Sequence, residues 1–404
     1  MTSSLVYDWN TVGGASGTSS VLLDDETLRD GLQSPSIESP AIEKRIEILR
    51  LMESLGIDCA DIGFPAASEQ AARDTERIAR EIVTTGMCIQ PNCAARTVVG
   101  DIQPIVEISQ RVGAPIEVAA FIGSSPIRQF VEDWTIDDLE QRTEAAVSFA
   151  VRERLPIFLV TEDTTRAEPE SLRRIYGAAL RAGARRICVA DTVGHATPDG
   201  ARAVVRFVRS IVDECGVEAG IDWHGHDDRG LAVANSLAAI EAGATRVHAT
   251  ALGIGERVGN TPMELLLVNL VLLGYLERDL TTLHRYCVAV SEACARPIPI
   301  NYPIFGHDAF RTATGVHAAA IIKAFRKDAP QLADAIYSSI PAHLIGREQE
   351  IEIGPMSGRS NVVYWLERRG VDVQDALVDR IFTAAKQASR VLREEEVWAI
   401  VKQV

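Results

Sequence analysis

From residue 21 onward, the apolar positions of this chain fall into short runs that alternate with longer amphipathic stretches. The runs, at 21–23, 59–64, 87–90, 116–122, 157–160, 186–190, 221–223 and 246–252, read as strands. After each, apolar residues recur at the helical spacing of three and four, over 41–55, 69–83, 102–112, 136–152, 169–182, 198–215, 231–242 and 262–273. Strands and helices alternating this regularly predict parallel strands joined by right-handed crossovers. Eight such units in roughly 250 residues predict a closed α/β barrel, the (β/α)8 or TIM barrel, over 21–280. An open doubly wound sheet is the alternative. It would need a G-x-G-x-x-G turn after the first strand, and the nearest glycine-rich stretch, Gly253-Ile254-Gly255-Glu256-Arg257-Val258-Gly259, comes late and with the wrong spacing.

After residue 280 the pattern changes. Arg296-Pro297-Ile298-Pro299-Ile300-Asn301-Tyr302-Pro303 is a proline-rich connector. A helix is expected over 318–325, a strand-like segment over 345–353, and two helices over 362–368 and 373–396. The 281–404 region therefore reads as a mostly helical set of linker and lid subdomains. Residues 1–20 end in small, polar side chains and read as a flexible tail, whose Asp8 and Trp9 could dock on the body of the protein.

Composition narrows the partners. A net charge of −15 disfavours nucleic acid and anionic membrane surfaces. No apolar run reaches the ~18 residues of a membrane span, and no basic-then-apolar leader opens the chain. The seven cysteines are scattered, with no C-x-x-C pair, which fits reduced thiols in a cytoplasmic protein.

The chemistry gathers where two strands end. Ile221-Asp222-Trp223-His224-Gly225-His226-Asp227-Asp228 puts His224 and His226 two residues apart, hence on one face of a strand. Leu23-Asp24-Asp25-Glu26-Thr27-Leu28-Arg29-Asp30 ends the first strand, with Asp30 available as a carboxylate ligand and Arg29 as a fixed cation beside it. Two imidazoles, one carboxylate and open positions suit Mg²⁺, Mn²⁺ or Zn²⁺. In a barrel both strand ends reach one mouth, and Asn260, after the eighth strand, lands between them. The run Asp24-Asp25-Glu26 reads as a partly solvated negative turn, with Asp25 free to orient a residue of the metal site. His248, on strand eight, reads as structural or as a partner of a ligand.

These stretches resemble the metal-dependent Claisen-condensing enzymes that include 2-isopropylmalate, homocitrate and citramalate synthases. The resemblance runs from residue 22 across nearly the whole chain. It rests on Asp25-x-Thr27-Leu28-Arg29-Asp30-Gly31-x-Gln33, Gly63-Phe64-Pro65-Ala66-Ala67-Ser68, Asp191-Thr192-Val193-Gly194-x-Ala196-Thr197-Pro198, His224-x-His226 and Gly253-x-Gly255-Glu256-Arg257-x-Gly259-Asn260.

The resemblance implies that Asp30, His224 and His226 bind the divalent metal, with Asn260 close to it. It implies that Arg29 holds a 2-oxo acid and Thr197 its carboxylate, with Gln33 and His195 in the substrate pocket. Glu162 matches the family's strand-five glutamate. His317 and Tyr337 match its lid residues, and the histidine reaches the site of a second subunit, which implies a homodimer with exchanged lids. The implied reaction joins acetyl-CoA to a 2-oxo acid and then hydrolyses the thioester, with His317 or Glu162 as base.

Several positions depart from the pattern. Leu32 replaces a common glutamate, so that Arg29-Asp30-Gly31-Leu32-Gln33 also reads as in the related hydroxymethylglutaryl-CoA lyases. Asp227 stands where asparagine is frequent, and Val160 where a hydroxyl residue is. The lyases carry a cysteine in the loop after strand eight, and 253–260 has none, which favours a synthase. The motifs lean to 2-oxoisovalerate as acceptor, with pyruvate and 2-oxoglutarate open. After the turn at 354–360 the remaining stretch is too short for the leucine-binding domain of many isopropylmalate synthases, so none is expected.

Overall fold

The structure, a computed structural model, describes residues 5–7, 9–11 and 21–403. Most of the expected tail, including Asp8 and 12–20, lies outside the described residues; Trp9–Thr11 forms a short 3₁₀ turn with Trp9 exposed.

The strands are β1 (Leu22–Asp25), β2 (Cys59–Asp61), β3 (Gln90–Arg96), β4 (Glu117–Gly123), β5 (Ile157–Glu162), β6 (Arg186–Asp191), β7 (Gly220–Gly225) and β8 (Arg246–Ala249). They close into a parallel barrel in sequence order, with β1 paired to β8 through Asp24↔His248. The helices around it are α1 (Ile42–Ser54), α2 (Glu69–Thr85), α3 (Val99–Val112), α4 (Pro126–Val131), α5 (Ile136–Arg152), α6 (Pro169–Ala182), α7 (Pro198–Cys215), α8 (Ala232–Glu241), α9 (Met263–Leu272) and α10 (Leu283–Ala293). The TIM barrel expected from the alternation is what the chain forms.

Local chemistry sets many boundaries. The Ser68 hydroxyl accepts the Ala71 N–H to start α2, and Gly86 at φ 68° ends it. Thr135 and Asp138 form a capping box on α5. The inward faces of these helices bury Ile78, Ile105, Leu139, Ile175 and Val205 against the strands. Each such side chain contributes about 1.5–3 kcal/mol.

Two details differ from the pattern-based reading. The third strand was expected at 87–90 but runs Gln90–Arg96. Its buried residues are Asn92, Cys93, Ala94 and Ala95, and Pro91 lies inside it, so it carries no bulky β-branched run to mark it. The short helix α4, opened by Ser125 and Pro126, was not expected at all.

The chain divides into two compact units. Among the described residues, 21–278 together with Arg285–Pro297 make the barrel unit, so most of α10 belongs there; residues 5–7 and 9–11, Asp279–His284 and the chain from Ile298 onward make the other. In the second unit β9 (Arg311–Thr312) pairs in parallel with β10 (Glu350–Ile351). Around them are α11 (Gly315–Phe325), α12 (Pro330–Ala335), α13 (Arg359–Arg368), α14 (Asp375–Gln387) and α15 (Glu394–Val401). The strand-like stretch 345–353 yields only the two residues of β10, and the single helix expected over 373–396 is two. The reason is a long-range pairing: the Leu392 N–H is drawn to the Ile353 carbonyl at 2.8 Å, so the backbone leaves the helix at Ala388. Trp365, Leu366, Leu377 and Ile381 form a core there.

Candidate active site

Strand alternation delivers the site. Asp24 and Glu26, two apart, and His248 beside them on β8 belong to one cluster, with His248 Nε2 3.7 Å from Asp24 and His248 Nδ1 3.1 Å from Glu26. The negative run is not a solvated turn: Asp24, Asp25 and Glu26 are all buried. Asn92 donates to both Asp24 oxygens at 2.9 Å. Asp25 takes the Thr27 N–H at 2.9 Å and the Tyr286 hydroxyl, tying β1 to α10 rather than to a metal ligand. Burial raises the Asp25 carboxyl to about 7 despite those hydrogen bonds.

Asp30, His224 and His226 converge, their ligand atoms all within 4.8 Å of one another. The two imidazole rings lie 5.1 Å apart, and His226 Nε2 is 3.9 Å from Asp30 Oδ2. Asn260 joins them: its amide donates to Asp30 Oδ2 at 2.6 Å and to the Ile254 carbonyl at 3.2 Å. Asn260 Oδ1 and His226 Nδ1 are left buried without a hydrogen-bond partner. Burial, then the neighbouring His224, lowers His226 to about 4, so that it is a neutral imidazole near pH 7. A carboxylate, a neutral imidazole and an unpartnered amide oxygen are a donor set that fits a divalent cation.

The loop after β8 depends on glycine to present Asn260. Gly259 adopts φ 107°, and a Cβ there would fall on the Gly253 carbonyl, to which the Asn260 N–H bonds at 3.0 Å.

Arg29 is locked among three carboxylates. Nε donates to Asp61 at 2.6 Å, Nη1 to Asp30 at 2.6 Å and Nη2 to Glu26 at 3.1 Å. Its guanidinium is a fixed cation. Burial nonetheless pushes the Asp61 carboxyl up to about 7.

These groups line a cavity of about 250 Å³ at the carboxyl ends of the strands. The β7–β8–β1 arc supplies Glu26, Arg29, Asp30, Gln33, His224, His226, His248 and Glu256. The opposite arc, from the end of β2 to β6, supplies Phe64, Ala94, Ala119, Phe121, Val160, Ala190, Thr192 and one carboxylate, Glu162. Glu162 lies 3.6 Å from Arg128, not beside Arg166, which pairs with Asp163 at 2.7 Å. Burial is the main influence on Glu162 and raises its carboxyl.

Of the residues expected at the site, Arg29, Asp30, Gln33, Glu162, His224, His226 and Asn260 come together here. Thr197 and His195 do not line this cavity. They border a separate depression with Arg229, and the Thr197 hydroxyl caps α7 by accepting the Gly200 N–H at 3.2 Å. His317 and Tyr337 belong to the second unit, where their exposed rings stack 4.1 Å apart. Sequence reasoning missed Glu26, Thr192 and Glu256 as cavity residues. For Glu26 the signal was present: it follows Asp24 by two positions, in phase with the inward face of β1.

A closed barrel whose mouth brings Asp30, His224 and His226 together beside a fixed arginine defines a barrel enzyme with a candidate divalent-metal centre. The chain belongs to the HMGL-like family, whose pattern matches residues 20–289. A homocitrate synthase of Methanopyrus kandleri is 33% identical over 369 residues, covering 91% of this chain and 87% of that protein. A 2-isopropylmalate synthase of Shouchella clausii is 32% identical over 389 residues, covering 93% and 72%. Among solved structures, the HMG-CoA lyase of Brucella melitensis superposes with a TM-score of 0.57 at 19% identity over 68% of this chain and 99% of that one, a likeness of fold. Among the described residues, no helix is long and apolar enough to cross a membrane.

Proposed function

We propose that this enzyme condenses acetyl-CoA with a 2-oxo acid bearing an apolar substituent, 2-oxoisovalerate foremost, to give 2-isopropylmalate. What carries the reading is the division of the cavity. One arc holds Arg29 and the metal set, suited to the oxo-acid head. The other is built from small apolar side chains, Ala94, Ala119, Val160 and Ala190, under Phe64 and Phe121. No cation lines that second arc, and its one charged group is the carboxylate of Glu162. The distal carboxylate of 2-oxoglutarate would be unpaired or repelled there, and the single methyl of pyruvate would leave it largely unfilled. The synthases among the relatives and the absence of a cysteine in 253–260 support condensation over lysis.

A divalent ion held by Asp30, His224 and His226, near Asn260, would polarise the oxo-acid carbonyl. Arg29, immobilised by Asp61, Asp30 and Glu26, faces the cavity where the former carbonyl oxygen gathers negative charge, and it needs no reorganisation to meet that charge. Glu162, its carboxyl raised by burial, is suited to accept the acetyl methyl proton. The stacked pair His317 and Tyr337 is the other candidate base, acting from the lid of a second subunit in a homodimer. The methyl C–H bond breaks, the new C–C bond forms, and the carbonyl oxygen gains a proton. Water then cleaves the thioester and releases the CoA thiol.

The test is thiol release from acetyl-CoA with a panel of 2-oxo acids. The highest kcat/KM is expected with 2-oxoisovalerate, and a preference for 2-oxoglutarate or pyruvate would assign the homocitrate or citramalate reaction instead. Cleavage of hydroxymethylglutaryl-CoA without any condensation would make the enzyme a lyase.

A further inference from the structure

We propose that Glu26 is a positioning residue of the metal centre, which fixes the proton of His224 on Nδ1 and so reserves Nε2 for the ion. The proposal rests on the reading of Asp30, His224 and His226 as the metal set. Glu26 Oε2 lies 2.7 Å from His224 Nδ1. Its other oxygen, Oε1, lies 3.1 Å from both His248 Nδ1 and Arg29 Nη2. A carboxylate against one imidazole nitrogen holds the N–H there and leaves the lone pair on the other.

Glu26 is itself held from behind. His248 Nε2 sits 3.3 Å from Asp222 Oδ2, and that same oxygen accepts from Arg246 at 2.8 and 2.6 Å. Asp222 Oδ1 accepts from Arg186 at 2.7 Å. The carboxylate that aims His224 is thus anchored through an imidazole and a second carboxylate to the buried Arg246 and the half-buried Arg186. Glu26, His224 and His248 also lie close enough together to hold an ion of their own. His248 Nδ1 bonds Glu26 Oε1, while Glu26 Oε2, a buried oxygen without any other hydrogen-bond partner, faces His224 Nδ1 at ion-pair distance. With its proton held on Nδ1, His224 cannot give both nitrogens to ions. The geometry points to one ion, with Glu26 behind its ligand.

The test is metal binding in Glu26→Ala and Glu26→Gln, by competition with a chromophoric chelator for Zn²⁺ or Mn²⁺, together with the visible spectrum of the Co²⁺-loaded proteins. Loss of an orienting partner of this kind weakens metal binding by roughly 10–100-fold. That loss is expected in Glu26→Ala, with an altered Co²⁺ spectrum. In Glu26→Gln, whose amide oxygen still accepts the Nδ1 proton, the loss should be smaller. The wild-type protein should bind one equivalent. Where the variants retain cooperative melting, unchanged affinity and spectrum in Glu26→Ala, or a loss in Glu26→Gln as large as in Glu26→Ala, would overturn the proposal, as would two wild-type equivalents of which Glu26→Ala loses one. His224→Ala separates the two readings: if it binds metal as tightly as wild type, the metal set itself is wrong, whatever Glu26→Ala shows.

Discussion

His248 and His226 titrate in opposite directions for reasons visible in their neighbours. Burial would discharge His248, but Glu26, Asp222 and Asp24 together hold it protonated up to about 10. Its folded value exceeds the unfolded value of about 6.5. The stability it contributes is therefore complete below about 6.5 and is lost as pH rises through 10. His226, lowered to about 4, contributes stability above about 6.5 that is lost as pH falls through 4. Asp25 and Asp61, raised to about 7, act in the same sense as His248 and lose stability as pH rises through 7. Urea midpoints of the metal-free protein should therefore fall as pH rises from about 6.5 to 10, and His248→Gln should flatten that alkaline limb. An unaltered alkaline limb in that variant would remove His248 as its cause. The ligand histidines were legible as His-x-His because a strand's period is two. Glu26 was in phase with Asp24 but went unread, because three consecutive acids resemble a surface turn until β8 supplies the imidazole and the turn after β1 the arginine that neutralise them.

The alternation of strands and helices placed seven of the eight barrel strands near their positions, most clearly β4, β5 and β6, which carry the apolar runs that buried parallel strands require. The exception, β3, puts Ala94 at the cavity wall and Asn92 on Asp24, flanked by Cys93 and Ala95, so it lacks a bulky run to mark it. The C-terminal helices blurred for a different cause: the break at Ala388 comes from a long-range pairing with Ile353 that no helical periodicity encodes. The β8–α9 loop was legible from its glycines. Gly259→Ala should force its φ of 107° out of a region that L side chains avoid and press a methyl group on the Gly253 carbonyl. A loss of about 1–3 kcal/mol is expected, and with it weaker metal binding, since Asn260 follows directly. Calorimetry and chelator competition measure the two effects; intact metal affinity would show that the loop does not set Asn260.

The proposed role of the second unit in catalysis can be tested at His317. If His317 acts on another subunit's cavity, mixing Arg29→Ala with His317→Ala subunits should restore turnover in hybrid dimers; no recovery after proven exchange would confine His317 to its own chain or remove it from catalysis. The barrel floor carries a different consequence. Arg246, buried on β8, reaches Asp222 on β7, Glu117 on β4 and, at 3.9 Å, Asp24 on β1. No contiguous half of the chain contains all of these partners. A partly assembled ring would strand charges in a low-dielectric interior, at a cost of several kcal/mol each. Half-barrels are thereby disfavoured as stopping points, and folding should be all-or-none across residues 21–278. Arg246→Met would test this, with an expected loss of about 3–5 kcal/mol and a denaturant transition that broadens or splits as partial rings become populated. A single sharp transition at unchanged midpoint would mean that ring closure is enforced by packing alone.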